Sequence, residues 1–453
     1  MIRSEVLTVS REDGEVQRAH IIRADTWDSV RFITPEPEPE TAFRHLVALY
    51  RDHHVFRYPF LYGRLVFFRC PDHITLPGTH LTEKRDRLIY AANVLKKGMT
   101  VKKGRPSFST EEAKLLYTVL EAAGCIDIVC GNRRTTNILP VADDCGFLSS
   151  CAPEKGVVAN LSFFLMDPYD CSTEYDHIGI PVGLRVRDGV AESMPQFKRP
   201  IFLVKKDGSV LITDDFEDTR IDPLVFEYKG KRIDLKRERV HVGPLCFNTA
   251  GSFILSGDRI VSGTKMKCKI PSSGFLAAFH DKTAAPCSVG PGERIAMHGM
   301  SDILFGIQVG PAAVIDGEPQ MGAPAHFYKI KKLISNILTL TVPYPPALYR
   351  CDPRKDRAPR MVLGADGEGK PMLVWLEGAA KARHTPGDDS CGATLREAAA
   401  FCAEYGMKNG IHLDGGGSAQ ILIDGKRELM ISDRDPLTGK EMERAVPNGI
   451  IIA

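Results

Sequence analysis

Asp-Gly steps recur beyond Cys151, among them Asp188-Gly189, Asp207-Gly208, Asp316-Gly317, Asp366-Gly367 and Asp424-Gly425, several of them between short apolar runs. Glycine takes positive φ at no steric cost, so such pairs favour two-residue turns that join antiparallel strands. The stretch Phe202-Leu-Val-Lys-Lys-Asp-Gly-Ser-Val-Leu-Ile212 is the clearest case, with two apolar runs on either side of one turn. The spacing therefore predicts a hairpin-rich region after residue 151. One helix interrupts it, from Thr394 to Tyr405, stopped by Gly406. Gly410-Ile-His-Leu-Asp414 then reads as a strand running into a glycine turn. No fixed-period repeat supports a solenoid or a propeller.

The first half has a different character. Val16–Asp25 and Val30–Ile33 mix apolar and polar residues as short strands do. Next comes Pro35-Glu-Pro-Glu-Pro-Glu40, an alternation that reads as an extended linker. Helices are expected over Thr41–His53, Glu83–Lys97 and Ser109–Gly124, the last with Ser109 and Glu112 as a capping box. The chain thus divides into opening strands (1–35), a helical insertion of unassigned role (36–140) and a main domain (141–453), an α+β class overall.

Composition excludes several function classes. The 453 residues carry 59 basic and 57 acidic side chains, a net +2 that supplies no general field for nucleic acid or an anionic membrane. The uncharged run Leu333–Tyr349 is 17 residues and contains three prolines, too short and too broken to span a bilayer. No apolar signal segment is legible near Met1 and the 12 cysteines form no Cys-x-x-Cys pair, so the expectation is a cytoplasmic protein with reduced thiols. Asp388, Asp389 and Asp414 form no ordered ligand loop, and neither metal nor cofactor is expected. No nucleic-acid partner and no membrane span is expected.

The densest signal is Leu413-Asp414-Gly415-Gly416-Gly417-Ser418, ahead of the apolar strand Ile421-Leu-Ile423. Three consecutive glycines expose backbone N–H groups at close range, which suits a turn that holds an anion or a sugar. The plain alternative is a tight turn whose aspartate caps its own backbone. The segment is neither a P-loop nor a dinucleotide-binding fingerprint. His412 alternates with Leu413, and so is expected on the face opposite Leu413 and alongside Asp414.

Leu413-Asp-Gly-Gly-Gly-Ser418 resembles the signature of the phosphodiester glycosidase family. Pro359-Arg-Met-Val-Leu-Gly364 is similar to that family's arginine strand, and Gly392-Ala-Thr-Leu-Arg-Glu397 to its helix start. Ala159-Asn160-Leu-Ser-Phe163-Phe164 looks like a modified Asn-Gly-Gly-Phe-Phe, and Gly310-Pro311 with Asp316-Gly317 resembles a further segment. The likeness covers roughly 150–453 plus the opening strands and leaves 36–140 out. Leu161 and Ser162 stand where the family pattern has two glycines.

The resemblance implies a mixed-sheet fold and hydrolysis of the bond between a sugar anomeric carbon and a phosphodiester oxygen, with a small-molecule or glycan sugar phosphate as the partner. Such a substrate carries negative charge on its leaving group, so a cation and a carboxylate are the groups required. On that reading Asp414 is the catalytic carboxylate, as nucleophile or as base toward water, and Glu397 the second carboxylate. Thr394 and Glu397 also match a capping box, which would commit that glutamate to the helix end. Arg360 is the expected phosphate clamp, a guanidinium being able to grip two oxygens at once. Asn160, Ser418 and the N–H groups of Gly415, Gly416 and Gly417 would complete the substrate contacts. His384, in a polar loop, is read as solvated.

Overall fold

The computed structural model describes residues 1–51, 63–166, 171, 173–193, 200–213, 271, 274, 300–320, 357–378, 385, 388–435 and 437–453, and the backbone of short strands between 225 and 343. The architecture is mixed, with several sheets and few helices. Its centre is a seven-stranded antiparallel sheet in the order 2–10, 16–24, 371–376, 360–366, 407–412, 312–315, 318–319. The opening hairpin thus completes a sheet whose middle is built by the C-terminal third of the chain. A four-stranded antiparallel sheet obeys the same rule, with Val30–Ile33 on Gly449–Ile452, then Val157–Asn160, then Ile421–Ile423. A third, five-stranded sheet contains the strands Ile201–Lys205 and Ile303–Ile307.

Alternation of side chains decides what each face of the central sheet meets. Met361, Leu363, Leu373, Trp375, Ile411 and Leu413 point into a core shared with Val157, Ala159, Ile421 and Ile450 of the four-stranded sheet and with Phe202 and Phe305 of the five-stranded one. Val362, Val374 and Leu376 point the other way, onto Ala398, Ala399 and Cys402 of helix α4 (Leu395–Glu404). Burial of each such Leu, Val or Met contributes about 1.5–3 kcal/mol before entropy is counted. The Asp-Gly prediction is met at Asp188-Gly189 and Asp316-Gly317, where both residues take positive φ (51° and 84°, 52° and 84°) and a hairpin closes.

The expectation of a helical insertion needs correction. Residues 36–140 contain α1 (Pro39–Tyr50), α2 (Lys84–Gly98) and α3 (Glu111–Ala122), but also a sheet in the order 126–130, 64–68, 136–140 whose second pair is parallel. Leu65 and Phe67 face α1 through Phe43, Leu46 and Val47, whereas Val66 and Phe68 face α2 and α3 through Leu88, Leu95, Leu116 and Leu120. A strand buried on both faces shows a continuous apolar run rather than alternation, which is why Arg64-Leu-Val-Phe-Phe68 carries no strand period. The cap of α3 is Thr110, whose hydroxyl accepts from Ala113 N–H, one residue later than expected; Glu112 instead accepts from the Tyr90 hydroxyl at 3.0 Å. Nor is Pro35–Glu40 a free linker: Pro37 bridges to Gly146, Glu38 N–H donates to Cys145 O at 3.2 Å, and Pro39 opens α1.

Candidate functional site

The strand Met407–His412 ends where the glycine turn begins, and three neighbours hold the turn in place. Leu413 N–H donates to Met361 O (2.9 Å), Asp414 N–H to Leu161 O (3.0 Å) and Gly416 N–H to Pro359 O (2.9 Å). Asn160, at the end of its strand, donates from Nδ2 to Asp414 O at 2.8 Å and accepts from Gln420 N–H at 3.0 Å. The turn is therefore clamped by the two chain segments that the resemblance singled out, around 160 and around 360. Gly310 N–H donates to His412 O, and His412 N–H donates to Pro311 O, so the Gly310-Pro311 segment lies on the same strand end.

Asp414 is 8% exposed. Burial pushes its carboxyl up to about 7, against the lowering pull of the Ser418 hydroxyl, the Arg444 guanidinium, Gly415 N–H and the Arg360 guanidinium. Desolvation outweighs two arginines here because a carboxylate removed from water loses more than partly screened neighbours return. Arg360 is buried, with its Nε donating to Ala393 O at 2.9 Å. Its register partner on the neighbouring strand is Leu376, while Val362, two residues on, pairs with His412. Arg360 and His412 therefore share one face of the sheet, opposite Leu413, as the alternation predicts. Burial, with the Arg360 charge adding to it, pushes His412 down to about 3, so the ring is neutral, and its Nδ1 has no hydrogen-bond partner among the described residues.

Two expected contacts take another form. The amides of the triple glycine serve the turn itself in two of three cases, Gly415 N–H toward the Asp414 carboxylate and Gly416 N–H toward Pro359 O. Asn160 spends its amide on Asp414 O and Gln420 N–H, so it positions the turn.

Glu397 shares no hydrogen bond with Asp414 among the described residues. It is the third residue of α4, and its carboxylate accepts from Thr394 N–H at 2.8 Å while Thr394 Oγ1 accepts from Glu397 N–H at 3.1 Å, a complete capping box. Arg357 donates to the same carboxylate (3.0 Å from Nη2) and Arg11 completes the cluster. Burial pushes this carboxyl up, but Arg357, Thr394 and Arg11 together reverse that and hold it down at about 2. The capping alternative is the one the geometry shows. His384 lies outside the described residues.

Asp433 and Arg444, which carry no mark in the sequence, flank the turn. Asp433 grips Arg444 at 2.7 Å to Nε and 3.0 Å to Nη2, and Arg444 Nη1 lies 3.4 Å from Ser418 Oγ. A Cβ at Gly417 would collide with both members of that pair, so only glycine lets them close over the turn. Glu377 is a second buried carboxylate, pushed up by burial and held by Met430 N–H at 2.7 Å and Arg18 at 3.3 Å. Asn448 is 1% exposed; its Oδ1 accepts from Ser162 N–H, and its Nδ2 has no partner among the described residues. Asp433, Arg444, Glu377 and Asn448 sit in no local motif, so no spacing signal announces them.

Among the described residues no cluster of His, Cys, Asp and Glu suited to a metal ion is found. What the arrangement offers is a buried carboxyl that titrates near neutrality, two guanidinium groups and a hydroxyl beside a tight glycine turn. Such a set can accept a proton from water next to a bound anion.

No curated protein matches the chain. Among solved structures it is similar to a hypothetical protein from Synechocystis (13% identity, 100% of this chain and 62% of that one, TM-score 0.40). It is also similar to the catalytic domain of zebrafish N-acetylglucosamine-1-phosphodiester alpha-N-acetylglucosaminidase (12% identity, 100% and 82%, TM-score 0.38). A family model described as phosphodiester glycosidase matches residues 248–453. The matched residues carry Arg360, the α4 capping box, the Asp414 turn and the Asp433–Arg444 pair, so this segment is similar to the phosphodiester glycosidase family.

Proposed function

We propose that the protein is a hydrolase that cleaves the C1–O bond of a sugar 1-phosphodiester, releasing free sugar and a phosphomonoester. The observation that carries the reading is Asp414, a buried carboxyl with a pKa near 7, flanked by Arg360, Arg444 and Ser418 in a segment similar to the phosphodiester glycosidase family. In the proposed reaction the ionised Asp414 takes a proton from water, whose oxygen bonds to C1 as the C1–O bond breaks. The phosphomonoester leaves with the bonding electron pair. Arg360 and Arg444 hold the phosphate, the Arg444 guanidinium being oriented by Asp433.

A phosphomonoester is a good leaving group, with a second pKa of about 6, so little help from an acid is required. A second carboxylate is then unnecessary, consistent with Glu397 being spent on the cap of α4. A carboxyl that titrates near 7 is matched to taking and returning a proton at neutral pH, whereas a nucleophile must stay ionised. Base catalysis is therefore the role favoured for Asp414 over nucleophilic attack.

The test is incubation of the protein with a panel of sugar 1-phosphodiesters and nucleotide sugars in ¹⁸O-labelled water, with free reducing sugar as the readout. The expected result is sugar release with the label in the sugar. Label in the phosphate would show P–O cleavage and overturn the reading. Tight binding without turnover would make the protein a binding module.

A further inference from the structure

Arg444 faces two environments. Its Nη1 lies 3.4 Å from Ser418 Oγ at the glycine turn and 3.6 Å from Met166 Sδ. Met166 and Arg444 both line a small cleft of about 40 Å³, with Leu46 and Leu49 of α1 on one wall and Phe164 and Ile178 on the other. Apart from the Arg444 guanidinium and the His45 imidazole, the side chains on these walls are hydrocarbon and sulfur. The cleft is closed on one side by the insertion: the Tyr50 hydroxyl donates to Met166 O, and the α1 face that packs on the insertion sheet is the same one that bears Leu46.

At about 10–15 Å³ for each water-sized group, this volume takes about three methylene-sized units. An apolar slot that ends on a guanidinium next to a phosphate-binding turn matches an amphiphilic ligand. We propose that it is a subsite for an apolar aglycone, the first carbons attached to the far oxygen of the phosphodiester, and that α1 of the insertion selects substrates by contacting them. The inference rests on the proposed hydrolysis of a sugar 1-phosphodiester. It assigns to 36–140 a role in specificity: Leu46 and Leu49 supply the contact and Arg444 sets the end at which the phosphate lies. A short alkyl or isoprenoid start is favoured over a ribose, whose several hydroxyls would outnumber the two polar side chains, His45 and Arg444, on these walls.

The test uses the full chain and a series of n-alkyl phosphates from methyl to hexyl, with affinity measured by calorimetry. Affinity is expected to rise about fourfold per methylene over the first three or so and then level off. In Leu49→Asp the hexyl-to-methyl ratio should fall close to one. Leu49→Ala, at a half-buried position and so safer for folding, should reduce the gain to less than twofold per methylene with the melting temperature kept. Methyl phosphate that binds with no gain along the series would overturn the subsite and leave the phosphate site standing. Gains that survive both Leu49 variants would also overturn it. Methyl phosphate that fails to bind at all would overturn the phosphate-binding reading itself, and the subsite with it.

Discussion

Two carboxylates lie in family-like segments of this chain, and their surroundings set them apart. Asp414 closes a strand and enters a glycine turn, is buried, and titrates near 7. Glu397 opens a helix, sits among Arg11, Arg357 and Thr394, and titrates near 2. Burial thus draws the first toward its protonated form at neutral pH, while its cationic and N–H partners keep the second ionised. A group that exchanges protons with water at working pH is suited to chemistry, while one locked in ion pairs is suited to holding a helix end and tying the N-terminal hairpin to the strand that begins at Arg360. The difference comes from partners: both carboxylates are partly or wholly desolvated, but only Glu397 has donors enough to outweigh that cost.

The largest way to break this contrast is Asp414→Asn. The variant should lose about 10²–10⁴-fold in sugar release, checked by reducing-sugar assay, with the fold kept as read by circular dichroism. Next, Arg360→Ala should cost about 10²–10³-fold, appearing in kcat/KM on a charged phosphodiester.

Stability sharpens the contrast further, since the two groups pull in opposite directions with pH. The Asp414 carboxyl is raised in the fold, so its contribution is fully present below its unfolded value of 3.8 and is lost as pH rises toward about 7. Asp414→Asn removes that dependence, and at pH 8 it should be more stable than the wild type, on the order of a few kcal/mol, in urea titrations. Glu397 is lowered, so its contribution is present above the unfolded value of 4.5 and is lost as pH falls toward about 2. Glu397→Gln, the smallest effect, should cost about 1 kcal/mol at pH 7, should match the wild type by pH 2, and should leave sugar release within about twofold of normal.

How much of the molecule is legible in its sequence varies with the range of the signal. Turn chemistry is local, and the positive φ angles at Asp188-Gly189 and Asp316-Gly317 come from their dipeptides. The α4 capping box is written in Thr394-Leu-Arg-Glu397, and the Asp414 turn in its glycines. What decides between the two meanings of Glu397 is not local: Arg11 comes from 386 residues away and Arg357 from 40. Spacing likewise cannot say where a glycine N–H points, so the commitment of Gly415 and Gly416 to the turn is a structural finding. Asp433 and Arg444 meet 11 residues apart across a loop, with no motif to mark them. The insertion sheet is hidden because its central strand is buried on both faces and loses its period.

The most direct test of the central contrast is a ¹³C NMR titration of the Asp414 carboxyl, assigned by its loss in Asp414→Asn, with Glu397 followed in the same way. The account predicts an inflection near pH 7 for Asp414 and near pH 2 for Glu397. An Asp414 inflection near 4, the ordinary carboxylate value, would contradict it.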